Sequence, residues 1–99
     1  MTTWRLVLSR RASTDLAAIY DWIAEEASET TADKYAERLE RFCLRLTRYP
    51  KRAIVRNDLF PGVRLIGFEK SVTVVFVVDD SRNEVRVLRL LYRGQQLDL

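Results

Sequence analysis

The segment Val72-Thr73-Val74-Val75-Phe76-Val77-Val78 constrains this chain more than any other. It is apolar and β-branched almost throughout, and it lacks the alternation of a strand with one wet face. It therefore reads as a central strand buried on both sides. It is also the longest apolar run in the chain. A membrane span needs ~20 such residues, so none is expected.

The cover for that strand comes from the first half of the chain. Trp4-Arg5-Leu6-Val7-Leu8 has the composition of a short strand. Ser9 follows as a helix N-cap, its hydroxyl suited to an unpaired N–H of the first turn. Ala12, Leu16, Ile19, Tyr20, Ile23 and Ala27 then recur at steps of three and four, which predicts an amphipathic helix ending near Ala27, with Asp15, Asp21 and Glu25 off its stripe. Ser28-Glu29-Thr30-Thr31 breaks the pattern, and either threonine is expected to cap a second helix. Its stripe is Tyr35, Leu39, Phe42, Leu46 and Tyr49, and Pro50 ends it. A connection this short predicts an antiparallel helix hairpin.

Lys51 to Gly62 shows no clear period, and Pro61-Gly62 marks a turn. Strands are expected over 63–68, 72–78 and 85–91, joined by the loops Glu69-Lys70-Ser71 and 79–84, with a short mobile tail from Tyr92 to Leu99. The fold expected is α+β, with element order β-α-α-β-β-β. The helix hairpin packs on one face of a four-stranded antiparallel sheet, and the other face is left partly open. Strand two is expected to run antiparallel to strand one. With 99 residues, 47% hydrophobic and 31% charged, the chain suits one globular domain over 1–99.

Composition excludes much chemistry. Histidine is absent and Cys43 is the single cysteine. A zinc site and a Cys–His nucleophile pair are thereby removed, and no metal or cofactor is expected. Cys43 borders an apolar stripe and reads as a small buried hydrophobe. Trp4 and Trp22 read as packing residues, the adjacent pairs Glu25–Glu26 and Asp79–Asp80 do not resemble a catalytic dyad, and no Gly-rich phosphate loop is present. One cysteine, and Arg5 directly after Met1-Thr2-Thr3-Trp4 with no secretory pattern, are consistent with the cytoplasm.

The charges point toward a partner. The net charge is +3, and the first fifty residues are neutral, so the excess lies in the second half. Arg38, Arg41, Arg45 and Arg48 form a basic stripe on the second helix. It suits phosphate or an acidic partner segment, or it is a solvated flank balanced by Asp33, Glu37 and Glu40. Arg89 shares its side of the last strand with Val85, Val87 and Leu91, so it is either paired with a carboxylate or directed into a binding cleft. Arg64, Arg89, Tyr92 and Arg93 are the residues that could together hold a phosphate and move a proton without histidine.

Together these residues resemble a known family. Leu8-Ser9-x-x-Ala12-x-x-Asp15-Leu16-x-x-Ile19-Tyr20-Asp21-Trp22-Ile23-Ala24 is similar to the opening of ParE toxins of the RelE/ParE superfamily. Pro50, the segment Arg56-x-Asp58-Leu59-x-Pro61-Gly62-Val63-Arg64, then Val74-Val75-Phe76 and Val85-x-Val87-Leu88-Arg89-Leu90-Leu91 resemble its strands in order. The resemblance spans about residues 4–94 and implies the toxin of a type II toxin–antitoxin system. ParE-like toxins act on DNA gyrase and block replication, whereas RelE-like relatives cleave mRNA in the ribosome. Ile66 and Phe68 stand where the mRNA-cleaving branch carries further basic residues, and Gln95 and Gln96 follow Gly94, which favours the ParE branch. Tyr92 stands where ParE toxins often carry His, a departure from the pattern.

The resemblance implies a gyrase inhibitor with no catalytic residues of its own, neutralised in a hetero-oligomer by a ParD-like antitoxin with an acidic C-terminal segment. Direct DNA binding by the toxin alone is not expected. Arg38, Arg41, Arg45 and Arg89 are the candidate antitoxin contacts, and Arg93, Gln95 and Gln96 the candidate gyrase contacts. The alternatives are a ribosome-dependent ribonuclease using Arg64, Arg89, Tyr92 and Arg93, and a homologue without toxicity that only binds a partner.

Overall fold

The computed structural model describes residues 4–51 and 53–97. Its elements are β1 (Arg5–Leu8), α1 (Arg10–Glu26), α2 (Glu29–Leu46), β2 (Ile54–Val55), β3 (Arg64–Phe68), β4 (Val72–Asp79) and β5 (Glu84–Tyr92). Two helices pack against a sheet of order β1-β5-β4-β3-β2, which is the α+β architecture expected. The sheet is five-stranded and mixed, not four-stranded and antiparallel, because β1 pairs with β5 in parallel.

Both differences come from β2. Ile54 and Val55 pair antiparallel with Leu65 and Arg64 and lie exposed at 71% and 41%. A two-residue strand with neither side chain buried leaves no period in the sequence. The chain running down after the helix hairpin is β2, so β3 runs up, in the same sense as β1. β4 then runs down and β5 up, which makes β5 parallel to β1.

The central strand is buried on both faces, as its composition demands. Val74 and Phe76 join the cluster beneath the helices, while Val75 joins a second cluster with Val63 and Leu91 on the opposite face. From α1 the first cluster takes Ala12, Ile19 and Ile23, and from α2 it takes Ala32, Tyr35, Leu39, Cys43 and Leu46. Each fully buried large apolar side chain stabilises the fold by about 1.5–3 kcal/mol. Cys43 is 2% exposed, and burial pushes its thiol pKa up to about 11. This is the behaviour of a packing residue.

Ser9 caps α1 as expected: its hydroxyl accepts the Ala12 N–H at 3.0 Å and donates to the Leu88 carbonyl at 2.9 Å. The cap of α2 is Ser28, not Thr30 or Thr31. Ser28 is extended, and its hydroxyl accepts the Thr31 N–H at 3.1 Å. The helices are thus joined by Ala27 and Ser28 alone, with Thr30 and Thr31 already inside α2.

Further polar contacts fix the layers. The Tyr20 hydroxyl donates to Asp33 at 2.7 Å across the hairpin, and that bond pushes the Tyr20 pKa up to about 12. The Tyr35 and Ser71 hydroxyls bond at 2.8 Å between α2 and the β3–β4 loop. In that loop Glu69 and Lys70 adopt left-handed backbone, costing roughly 1 kcal/mol or more each. Arg38 grips Glu69 with two hydrogen bonds of 2.8 and 3.0 Å, which holds the loop to the helix and keeps the Glu69 carboxyl below its usual pKa.

Candidate functional site

A β-bulge sets the geometry around Arg89. Val87 faces Phe76 and Arg89 faces Val75, so Leu88 is an extra residue without a partner. The alternation of side chains shifts there. Val85 and Val87 belong to the helix-side cluster with Leu90 and Tyr92, whereas Leu91 belongs to the opposite one. The grouping of Arg89 with Val85, Val87 and Leu91 expected from strict alternation does not hold.

Arg89 is held by Asp15 of α1. Its Nε and one terminal nitrogen donate to the two Asp15 carboxylate oxygens at 2.7 and 3.0 Å, and Asp15 also accepts the Leu90 N–H at 2.9 Å. The two side chains are only 12% and 13% exposed. β1 pairs with β5 only as far as Val87, so Asp15 takes over where the ladder stops. Of the two readings open for Arg89, the carboxylate partner is present. Asp15 lies off the apolar stripe of α1, and only its place in the quoted ParE-like pattern marked it.

The other residues of the phosphate-binding set also have partners. Arg64 donates from one terminal nitrogen to the carbonyls of Lys51 and Ala53 at 2.9 and 3.1 Å, fastening the lead-in to β2. Tyr92 is the last residue of β5, not the start of a tail, and its ring stacks on Trp22 at 5.6 Å and 22°. Arg93 lies 5.0 Å over the Tyr92 ring and 3.4 Å from Glu26. The structure brings Tyr92 and Arg93 together, while Arg64 and Arg89 are each directed to separate partners. Trp22 stacks on Tyr92 but is 38% exposed, and Trp4 packs against the main core.

Of the candidate gyrase contacts, Arg93 and Gly94 form a left-handed turn that ends β5. Gln95 closes it: its side-chain oxygen accepts the Tyr92 N–H at 3.0 Å, and its own N–H donates to the Tyr92 carbonyl at 3.2 Å. Gln96 is exposed, and Leu97 packs on the second apolar cluster. Gln95 and Leu97 thus tie this segment back to the body of the fold. Asp98 and Leu99 lie outside the described residues.

The basic stripe divides in two. Arg38 is committed to Glu69, and Arg41 lies 3.7 Å from Glu37, one turn earlier. Arg45 lies 5.8 Å over the Phe42 ring. Arg41, Arg45 and Arg48 surround Leu44, which is 54% exposed, and together they line a groove of about 330 Å³. Leu44 is outside the apolar stripe, so the sequence period did not mark it. An apolar centre with a cationic rim suits an acidic amphipathic segment. Among the described residues, no cluster of His, Cys, Asp and Glu is placed to hold a metal ion. Among the same residues, no helix is long and apolar enough to cross a membrane.

Comparison with known proteins agrees with this architecture. A solved structure of the chromosomal ParDE toxin–antitoxin system from P. aeruginosa matches with a TM-score of 0.79 and 25% identity, over 96% of this chain and 100% of that one. The RelBE2 toxin–antitoxin complex of Mycobacterium tuberculosis matches with a TM-score of 0.72 and 16% identity, over 92% and 99% of the two chains. The intact RelBE complex of E. coli matches at 0.64 and 17%, over 94% and 99%. No curated protein sequence matches this chain. The profile described as the ParE toxin of the type II toxin–antitoxin system parDE matches residues 6–97. The chain belongs to the ParE toxin family.

Proposed function

We propose that this chain is the toxin of a type II toxin–antitoxin pair, that it inhibits DNA gyrase by binding without chemistry of its own, and that a ParD-like antitoxin neutralises it. The observation that carries the mechanism is the engagement of the residues a ribonuclease would need. Arg89 is gripped by Asp15, Arg64 by two backbone carbonyls, Tyr92 by Trp22, and Arg93 by Tyr92 and Glu26. An arginine that stabilises a phosphoryl transition state must present its fork to the reacting group. Here Nε and one terminal nitrogen of Arg89 face a carboxylate.

The antitoxin lies along α2 in this reading. Arg41 and Arg45 flank exposed Leu44, and the span from Arg41 to Arg48 is about 10 Å along the axis. Carboxylates on an acidic helix meet that span, with an apolar residue on Leu44. Arg38, paired with Glu69, and Arg89, paired with Asp15, are the further candidate contacts. The gyrase contact in this reading is the turn of Arg93 and Gln95 with exposed Gln96, and such a target implies a cytoplasmic protein.

Induced expression tests the target. Gyrase inhibition predicts that thymidine incorporation falls before methionine incorporation. Methionine incorporation falling first contradicts gyrase and indicates mRNA cleavage. Undisturbed growth contradicts both.

A further inference from the structure

The turn between β3 and β4 is held in shape from outside. The Ser71 N–H donates to the Phe68 carbonyl at 3.0 Å, so Glu69 and Lys70 are its two central residues. They sit at φ 48° and 60°, and neither is Gly, Asn or Asp. Left-handed backbone disfavours residues with a Cβ, so the turn's own sequence does not select this shape. Two contacts from α2 do. The Arg38 fork holds the Glu69 carboxylate at 2.8 and 3.0 Å, and the Tyr35 and Ser71 hydroxyls bond at 2.8 Å.

The same turn holds the end of β5. The Ser71 carbonyl accepts the Arg93 N–H at 2.8 Å, one step beyond the Val72–Tyr92 pair that ends the ladder. Arg93 is itself left-handed, at φ 49°. From that backbone its side chain reaches the Tyr92 ring and Glu26, and Gln95 closes on the Tyr92 N–H. A continuous set of contacts thus runs from Arg38 on α2, through Glu69 and Ser71, to Arg93. Its α2 end is within a partner's reach, since the Arg38 and Glu69 side chains are 47% and 40% exposed. An ion pair that exposed is weak enough for an incoming carboxylate to compete with Glu69 for the same fork.

We propose that these contacts couple the α2 surface to the turn at Arg93: a partner carboxylate that takes Arg38 from Glu69 frees the β3–β4 turn, and the freed turn loosens the Arg93–Gln95 turn. The two states are defined by what Arg38 holds, Glu69 or the partner. An antitoxin on α2 then weakens target binding at the far turn without touching it. By linkage, a target held at Arg93 weakens antitoxin binding on α2 by the same factor. The identity of the two ligands rests on the function proposed above, whereas the coupling rests only on the contacts from Arg38 to Arg93.

The test is amide hydrogen exchange, read by mass spectrometry on the full chain, with Glu69→Gln and Arg38→Gln each standing in for the released state. Peptides covering 69–73 and 90–96 are expected to exchange about threefold faster in either variant, while those covering 10–16 keep their wild-type rate. The double variant is expected to be no faster than either single one, because both remove the same contact. Lys70→Gly added to Glu69→Gln is expected to return 90–96 toward the wild-type rate, since glycine holds left-handed backbone unaided. The proposal is overturned by faster exchange confined to 69–73, by faster exchange spread evenly along the chain, by additive effects in the double variant, or by failure of Lys70→Gly to restore 90–96. These outcomes are read without gyrase or antitoxin, so a failure here leaves the proposed target untouched, and a failure of gyrase inhibition leaves the coupling untouched.

Discussion

Asp15 and Arg89 lie 74 positions apart in the chain and form a two-pronged ion pair at 2.7 and 3.0 Å, with the Leu90 N–H as a third ligand of the same carboxylate. The pair fastens the second turn of α1 to β5 where β1 ceases to pair. A carboxylate removed from such a site leaves a shielded guanidinium and an N–H without acceptor. Asp15→Ala is expected to destabilise the fold by about 3 kcal/mol, within the range for breaking one side of a buried pair. In a double-mutant cycle by urea unfolding, Asp15→Ala/Arg89→Ala is expected to cost clearly less than the sum of the single changes. Additive costs would mean that the pair contributes nothing.

Tyr92→Phe separates packing from proton transfer. The ring on Trp22 and under Arg93 is kept, and only the hydroxyl is lost. Growth arrest on induction is expected to persist in Tyr92→Phe, measured as colony-forming units against wild type. Loss of arrest with unchanged Tm would assign the hydroxyl to chemistry.

Antitoxin binding is expected to weaken in Arg41→Glu and in Arg45→Glu, by about tenfold for the pair, because reversal places like charges against an acidic helix. Calorimetric titration of the purified partners measures it. These positions are preferable to Arg89, whose replacement disturbs Asp15 and the fold itself.

Cys43 gives a pH prediction. Its thiol is raised to about 11 by burial first and by Glu40 second. The folded chain holds that proton more tightly than the unfolded chain does. The thiol's contribution to stability is therefore complete below the unfolded cysteine pKa, roughly 8.5, and is lost as pH rises toward 11. Native protein is expected to resist iodoacetamide at mildly alkaline pH and to react fully once urea unfolds it. Fast native alkylation would contradict the burial.

Periodic features were the legible ones. Both helix stripes as far as Ile23 and Leu46, the Ser9 cap and the double-sided burial of Val72 to Val78 follow from spacing and local chemistry, whereas Tyr49, expected on the second stripe, lies beyond the end of α2 and is 68% exposed. The exceptions arise where tertiary pairing overrides local pattern. Ile54–Val55 becomes a strand only because Leu65 and Arg64 lie beside it. The bulge at Leu88 depends on fitting β5 to β4, and it alone breaks the expected facing of Arg89. The Ser28 cap was hidden among several hydroxyl residues able to do the same work, and the partner of Asp15 is invisible because it comes from the far end of the chain.

The central claim is inhibition by binding, and gyrase supercoiling with purified toxin tests it most directly. Toxin in excess is expected to stop supercoiling or raise cleavage complexes, Tyr92→Phe is expected to do the same, and added antitoxin to restore activity. Unaltered supercoiling together with unchanged cleavage complexes, at toxin excess and with folded protein, would contradict the account.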